Sequence, residues 1–360
     1  MTQKNAEADK WYNKYEKIKG HEEKIKTVLD ICSSNKPIEF YKYVDIFEII
    51  DSDIQKGFME NENLSLYFEF LDKFMEQCPV AFSVDFMWYI REMIKWHVYK
   101  ENYDKVHRLA NYLIENPKEE PDIIFDIIDH LILNNCIDDA SSLSEKYYRV
   151  LSDGKETLGG GIFEMAIIGS MLAISKCLQE NSCNYDALIK ILDKYGLGQE
   201  EKIIKKRVDI LNKKIGYAEW QDDNLTKKEY IYLLTLEFAM YLNENYKLDY
   251  AVSLYLHILI LNYLLETKQK IDVKLNHKIT DEYIASYAGG MCSLSQSRAF
   301  GILVALNFFY DFLKSKCIID NDTYSTSQKT LTKLNLDLLH AFENSIWRYN
   351  FALKYLYSKK

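Results

Sequence analysis

Three aspartates on one helical face are the most ordered chemistry in this sequence. Asp122, Asp126 and Asp129 stand at i, i+4 and i+7, which on an α-helix confines them to about 60° of arc. Ile123, Ile124, Ile127, Ile128 and Leu131 take the opposite side. The spacing predicts a helix that buries its isoleucines and presents a row of carboxylates. Glu119 and Glu120 precede the row, and residues 115–139 hold eight acids against one cation, Lys118, a balance of −7. Like charges at this spacing repel by a few tenths of a kcal/mol each. Asp122, Asp126 and Asp129, with Glu119 and Glu120, are therefore a candidate binding face for a basic protein or peptide. An ordinary solvated face, covered by a basic helix of the same chain, is the alternative. A divalent-cation site is a weaker one, because three side chains on one helix converge poorly.

Other chemistry is sparse. The seven His (21, 97, 107, 130, 257, 277 and 340) form no H-E-x-x-H and no His/Cys cluster at ligand spacing, so no metal site is expected. No G-x-S-x-G and no P-loop occurs, and no cofactor or catalytic residue is assigned. Gly159-Gly160-Gly161 precedes a predicted helix and reads as a joint between modules. Gly289-Gly290, followed by Ser293, Ser295 and Arg298 near another helix start, is a weak anion-binding candidate through Gly290, Ser293 and Arg298, since helix starts offer free amides. Lys202, Lys205, Lys206, Arg207, Lys213 and Lys214 make a basic helix with an apolar face of Ile203, Ile204, Val208, Leu211 and Ile215. It reads as a solvated helix docked on the acidic module, or as a nucleic-acid or lipid contact.

Arg91 and His97, with five residues between them, resemble the loose Arg–His signature of HEPN ribonucleases, which are helical. That resemblance implies an Arg91/His97 nuclease site. On a continuous helix, however, six steps of 100° set the two about 240° apart, and Met87, Trp88, Met93, Ile94 and Trp96 around them read as packing residues.

The elements that must position these groups are helices. With 13 Gly and 4 Pro in 360 residues, the chain is poor in the residues that tight turns need. Apolar spacing at i, i+3, i+4 and i+7 recurs, as in Val106, Leu109, Ala110, Leu113 and Ile114. Thr226-x-x-Glu229 and Ser293-x-x-Gln296 read as capping boxes, and long helices are expected at about 227–243, 247–268, 294–316 and 328–357. An all-α fold follows. The most apolar runs, 252–265 and 299–313, fall short of the roughly 20 residues that span a bilayer, so no membrane contact is expected. Seven Cys, an odd number with no C-x-x-C pair and no signal peptide before them, fit a reduced cytoplasmic setting.

Charge divides the chain. Residues 1–150 carry 19 Lys/Arg against 29 Asp/Glu, while residues 151–360 carry 26 against 25. The excess of acid argues against DNA binding by the first part. The expected modules are 1–152, acidic and helical; a Gly-containing linker at 153–161; and 162–360, helical, with a sub-boundary near 216–224.

A period of 34 residues relates Tyr103 to Ile137, Val106 to Ala140, Ala110 to Ser144 and Leu113 to Tyr147. Two helices per 34 residues resembles the tetratricopeptide repeat, fairly over 60–151 and weakly over 227–262, where Ala251 and Tyr255 match its second helix. Ile90 and Ile94 stand where the family's signature Trp and Gly belong. The resemblance implies antiparallel helix pairs in an α-solenoid, here followed by a longer-helix C-terminal bundle, with Ala140 and Ala251 at tight seams. It also implies a non-catalytic protein- or peptide-binding role, as an adaptor or as a neutralising immunity- or antitoxin-type binder of a basic partner.

Overall fold

The computed structural model describes residues 3–60, 63–118, 120–153, 159–198, 200–221, 225–289 and 295–357. Its described residues form helices and turns and no strand. The chain divides into two compact units, Met1–Trp96 and His97–Lys360.

The first unit is built on helices α1 (Gln3–Tyr15), α2 (His21–Ser33) and α3 (Leu64–Gln77), with short helical segments between, one of them the π-helical turn Ile49–Ile54. Its core is aromatic. Tyr67, Phe68, Phe74, Phe82 and Tyr89 are buried, and Phe68 stacks on Trp96 with ring centroids 4.5 Å apart. Rings fill seams between helices at little entropic cost, which is one use the chain makes of its 28 Tyr and 17 Phe. Helix α4 (Phe86–Tyr99) contains the boundary between the units.

The second unit opens with α5 (Tyr103–Glu115), α6 (Pro121–Leu133) and α7 (Ile137–Asp153). Asn102 caps α5 by accepting from the Lys105 amide, and Pro121 begins α6, where its missing N–H costs nothing. Helix α7 packs on both α5 and α6. Positions one period apart are buried alike: Val106, Ala110 and Leu113 in α5, and Ala140, Ser144 and Tyr147 in α7. Next come α8 (Gly159–Gln179), α9 (Tyr185–Lys194), α10 (Glu201–Leu211), α11 (Lys227–Tyr246) and α12 (Tyr250–Thr267). Each packs on its neighbour in the chain, and α12 returns to pack on α8. Thr226 and Glu229 form the expected capping box on α11, and Asp249 caps α12 through the Ala251 amide at 2.7 Å. Last are α13 (His277–Ala288), α14 (Gln296–Ser315) and α15 (Asn321–Ala341). Helix α14 packs on α6, α12, α13 and α15. The long final helix expected over 328–357 is instead broken: α15 ends at Ala341, and a 3-10 turn (Glu343–Tyr349) precedes Asn350–Tyr357.

Helix exits explain how a glycine-poor chain turns. Asn35, Asn135, Asn181, Lys213, Lys247 and Lys268 all hold positive φ, in the left-handed region that usually falls to glycine after a helix. Of the expected joint at 153–161, residues 154–158 lie outside the described residues, and Gly159 to Gly161 enter the first turn of α8. Within the expected sub-boundary near 216–224, residues 222–224 likewise lie outside. The segment Gly161–Gln179 of α8 and the whole of α12 are long and apolar enough to cross a membrane by length and composition, with mean hydropathy 1.6 and 1.2. Here most of each lies inside the second unit.

Candidate functional site

The aspartate row does not face solvent as its spacing suggests. Asp122 is exposed, but Asp126 and Asp129 are 0% exposed. The cause is that α6 is covered on every side: each residue from Ile123 to Leu133 is buried, because α7, α12 and α14 all pack on it. The carboxylates are met by the start of α14. Asp126 Oδ1 accepts from the Ser297 backbone N–H at 3.4 Å, close to the positive end of that helix. The α14 N-cap, Ser295, makes no side-chain capping bond of its own. Arg298 donates to Asp129 Oδ2 from Nε at 2.9 Å and from Nη2 at 2.8 Å. Its Nη1 pairs with Glu164 of α8 at 2.5 Å. Burial pushes the Asp129 carboxyl up to about 6, while Arg298 and the Tyr255 hydroxyl pull it back down.

The remaining expected residues separate. Glu119, Gly290 and Ser293 lie outside the described residues, and so does the cap expected from Ser293. Glu120 is half-buried, with Lys118 Nζ 4.0 Å away. Arg298 is engaged with carboxylates rather than held open for an anion. Arg91 and His97 lie on one continuous helix, α4, and so point about 240° apart. Arg91 bonds Glu92 and stacks on Trp88 at 4.5 Å, and His97 is buried. The cover expected from the basic helix is supplied by Arg298 instead. Helix α10 packs on α9 and α11, and Lys205 and Lys213 pair with Glu201 and Glu244. Among the described residues, no group of three or more His, Cys, Asp or Glu is placed to hold a metal ion.

One cation of that basic run, Arg207, is the exception: it is turned inward and only 6% exposed. It lines a cavity of about 280 Å³ enclosed by α8, α9, α10, α11 and α12. The walls are mostly aliphatic, with Ser170 and Asn262 among the residues that line them. Helix α8 gives Ile167, Met171 and Ile174, and α12 gives Leu254, Ile258, Leu261 and Leu265, each set at the three- and four-residue spacing of one helical face. Phe163 and Lys228 are its exposed lining residues.

Two polar groups of the lining meet at one ring, Tyr232. The Arg207 guanidinium lies 5.1 Å from the Tyr232 ring centroid. The His257 ring meets the same tyrosine edge-on at 5.6 Å. Lys228 precedes Tyr232 by four residues on α11, so the two share a face. His257 is held neutral: burial, and then the charge of Arg207, lower its pKa to about 3, against a hydrogen bond to the Thr235 backbone. Its Nδ1 is buried and has no hydrogen-bond partner. Leaving such an atom empty costs about 1–3 kcal/mol. A buried His on a leucine-rich helix resembles any core histidine in sequence. The signal that could have marked it is its place at i, i+4 and i+8 with Leu261 and Leu265 on the cavity face of α12.

No protein-family model, curated protein or solved structure matches this chain.

Proposed function

We propose that this chain is a non-catalytic binding protein whose second unit takes up a small, largely apolar molecule in the cavity between α8 and α12. The observation that carries this reading is His257: a neutral imidazole, 4% exposed, whose Nδ1 finds no partner on the wall of an aliphatic cavity. A mostly apolar pocket with a few convergent polar groups is the usual form of a small-molecule site, and about 280 Å³ is near the lower end of the roughly 300–1,000 Å³ such sites occupy. The direct test is native mass spectrometry of protein purified gently from its own cells, followed by solvent extraction and reweighing. A bound small molecule, lost from Ile258→Trp protein that remains helical, is the expected result. Apo protein that also shows no thermal stabilisation by any apolar probe would end the reading.

Binding of a protein or peptide by the surface of the helix pairs is a second reading, favoured by one observation. Helix α7 seats on both α5 and α6, with three of the four pairs of positions 34 residues apart buried alike, which supports antiparallel pairs of tetratricopeptide-like form. The surface left for a basic partner is Asp122, Glu115 and Asp138, not the buried pair. Replacing these three with their amides and repeating a pull-down at low and moderate salt tests it, since an electrostatic interface weakens with salt. The six cysteines described are free thiols, which supports a reducing, cytoplasmic setting.

A further inference from the structure

Resting on the cavity reading above, we propose that the ligand is a single straight aliphatic chain ending in one hydrogen-bonding group. It lies along α8 and α12 with its methyl end innermost. The direction of the hollow, its depth and the placing of its polar lining each fix one part of that description.

The direction follows from how the helices run. Gln179, the last residue of α8, donates from Nε2 to Asp249, the N-cap of α12, at 2.8 Å. The two helices pack on each other, so they are antiparallel. Ile174 and Leu254 each stand five residues from that contact, and Phe163 and Leu265 each stand sixteen. The lining thus runs over the same stretch of both helices, about 16 Å long. Packed helix axes lie only about 8–10 Å apart, which leaves little width for a broad body between α8 and α12. A volume of about 280 Å³ is therefore gained along the axes rather than across them. A chain of methylenes suits such a slot, and a cage or fused ring does not.

The same alignment shows which end is shut. Ile174 and Leu254 are buried. Helix α11 turns back into α12 over residues 247–249, and its Tyr232 ring meets His257. Leu236, one turn further along α11, therefore lines the Leu254 end, and it too is buried. Lys228, one turn before Tyr232, lies toward Leu261. There the lining is open: Phe163 and Lys228 are exposed, and Leu261, Asn262 and Leu265 are half-buried. A chain with one polar end enters such a slot methyl first.

The polar lining agrees. Ser170 lies nearer the middle, and its Oγ already donates to the Ile167 carbonyl at 2.9 Å. Asn262 stands thirteen residues from the Asp249 contact, in the outer third of the slot, and its amide bonds no described residue. An amide offers both donors and an acceptor, and a polar end group at the mouth answers them.

The experiment is isothermal titration calorimetry with straight primary alcohols from hexanol to dodecanol, and with adamantanol, a cage alcohol of the same carbon count as decanol. Binding should tighten about fourfold with each added methylene until the chain fills the slot, and then level off. Adamantanol should bind about tenfold or more weakly than decanol. Ile174→Ala deepens the closed end and should move the levelling point to a longer alcohol. Leu236→Ala is read in the same way where circular dichroism shows Ile174→Ala unfolded. Asn262→Leu should weaken every alcohol about fivefold and leave the levelling point in place. Three results would each overturn this inference and leave the cavity reading standing: adamantanol binding as tightly as decanol, a levelling point that neither deepened variant moves, or alcohols indifferent to Asn262→Leu. No binding by any alcohol, chain or cage, would overturn both.

Discussion

The second unit buries charge in two places and treats it in opposite ways. Where α6 meets α14, Asp129 is matched by Arg298, Arg298 by Glu164 as well, and Asp126 by the start of a helix. That cluster is closed by its ion pairs, although Asp129 Oδ1 is buried without a hydrogen-bond partner. Where α10, α11 and α12 meet, Arg207 and His257 lean on one tyrosine on the wall of a hollow. That cluster is open to a cavity. Burying polarity is costly in either place; the closed cluster seats the start of α14, and the open one borders space that the packing leaves unfilled.

The comparison breaks most sharply at Arg298. Arg298→Met strands Asp129 in the core, and urea denaturation should show a loss of about 3–5 kcal/mol. Adding Asp129→Leu should recover much of it, because the paired charges contribute specificity more than stability. If the single variant is as stable as the parent, the cluster is not closed.

His257 gives the opposite behaviour, readable against pH. Its folded pKa, about 3, lies below the ordinary 6.5, so stability is full above pH 6.5 and drains as pH falls toward 3. His257→Phe should therefore gain on the parent over that window, by up to about 1.4 kcal/mol per pH unit. Parallel curves for the two proteins would mean that the ring is solvated. Asp129 has the reverse sign: its pKa is raised, to about 6 from 3.8, so its contribution is full below 3.8 and is lost as pH rises through 6.

Volume separates the regions next. Ala140, 0% exposed in α7, lies in a filled seam, and Ala140→Phe should cost about 1–3 kcal/mol by overpacking. Ile258→Phe grows into the cavity and should cost less than about 0.5 kcal/mol by the same thermal measurement. Equal costs would deny that there is room. The smallest effect belongs to Asp122→Asn, exposed on the same helix as Asp129, which should stay within about 0.5 kcal/mol of the parent.

Periodicity and glycine scarcity were enough to read helices, the capping box at Thr226 and Glu229, and the burial of Ala140 and Ala251. They could not say which side of α6 would be wet. Its isoleucines and aspartates are cleanly segregated, and a helix alone in water would bury one set and expose the other. What reversed this is a helix from far along the chain, whose Arg298 read as an anion site for want of any view of Asp129. The cavity was illegible for a related reason. Its lining comes from five helices, and each contributes residues that pass as ordinary core when taken singly.

Asp129 and Arg298 stand 169 residues apart in the chain, whereas the described lining of the cavity runs only from Phe163 to Leu265. On a ribosome this separation becomes a schedule. Chains fold as they emerge, earlier parts first, and closing a longer loop adds an entropic charge that short connections avoid. A nascent chain ending at Thr267 already carries every described residue of the cavity, while α6 still waits with two carboxylates turned toward a helix not yet made. The open cluster can be complete before the closed one exists, so the last quarter of synthesis locks a unit whose hollow has already been shaped.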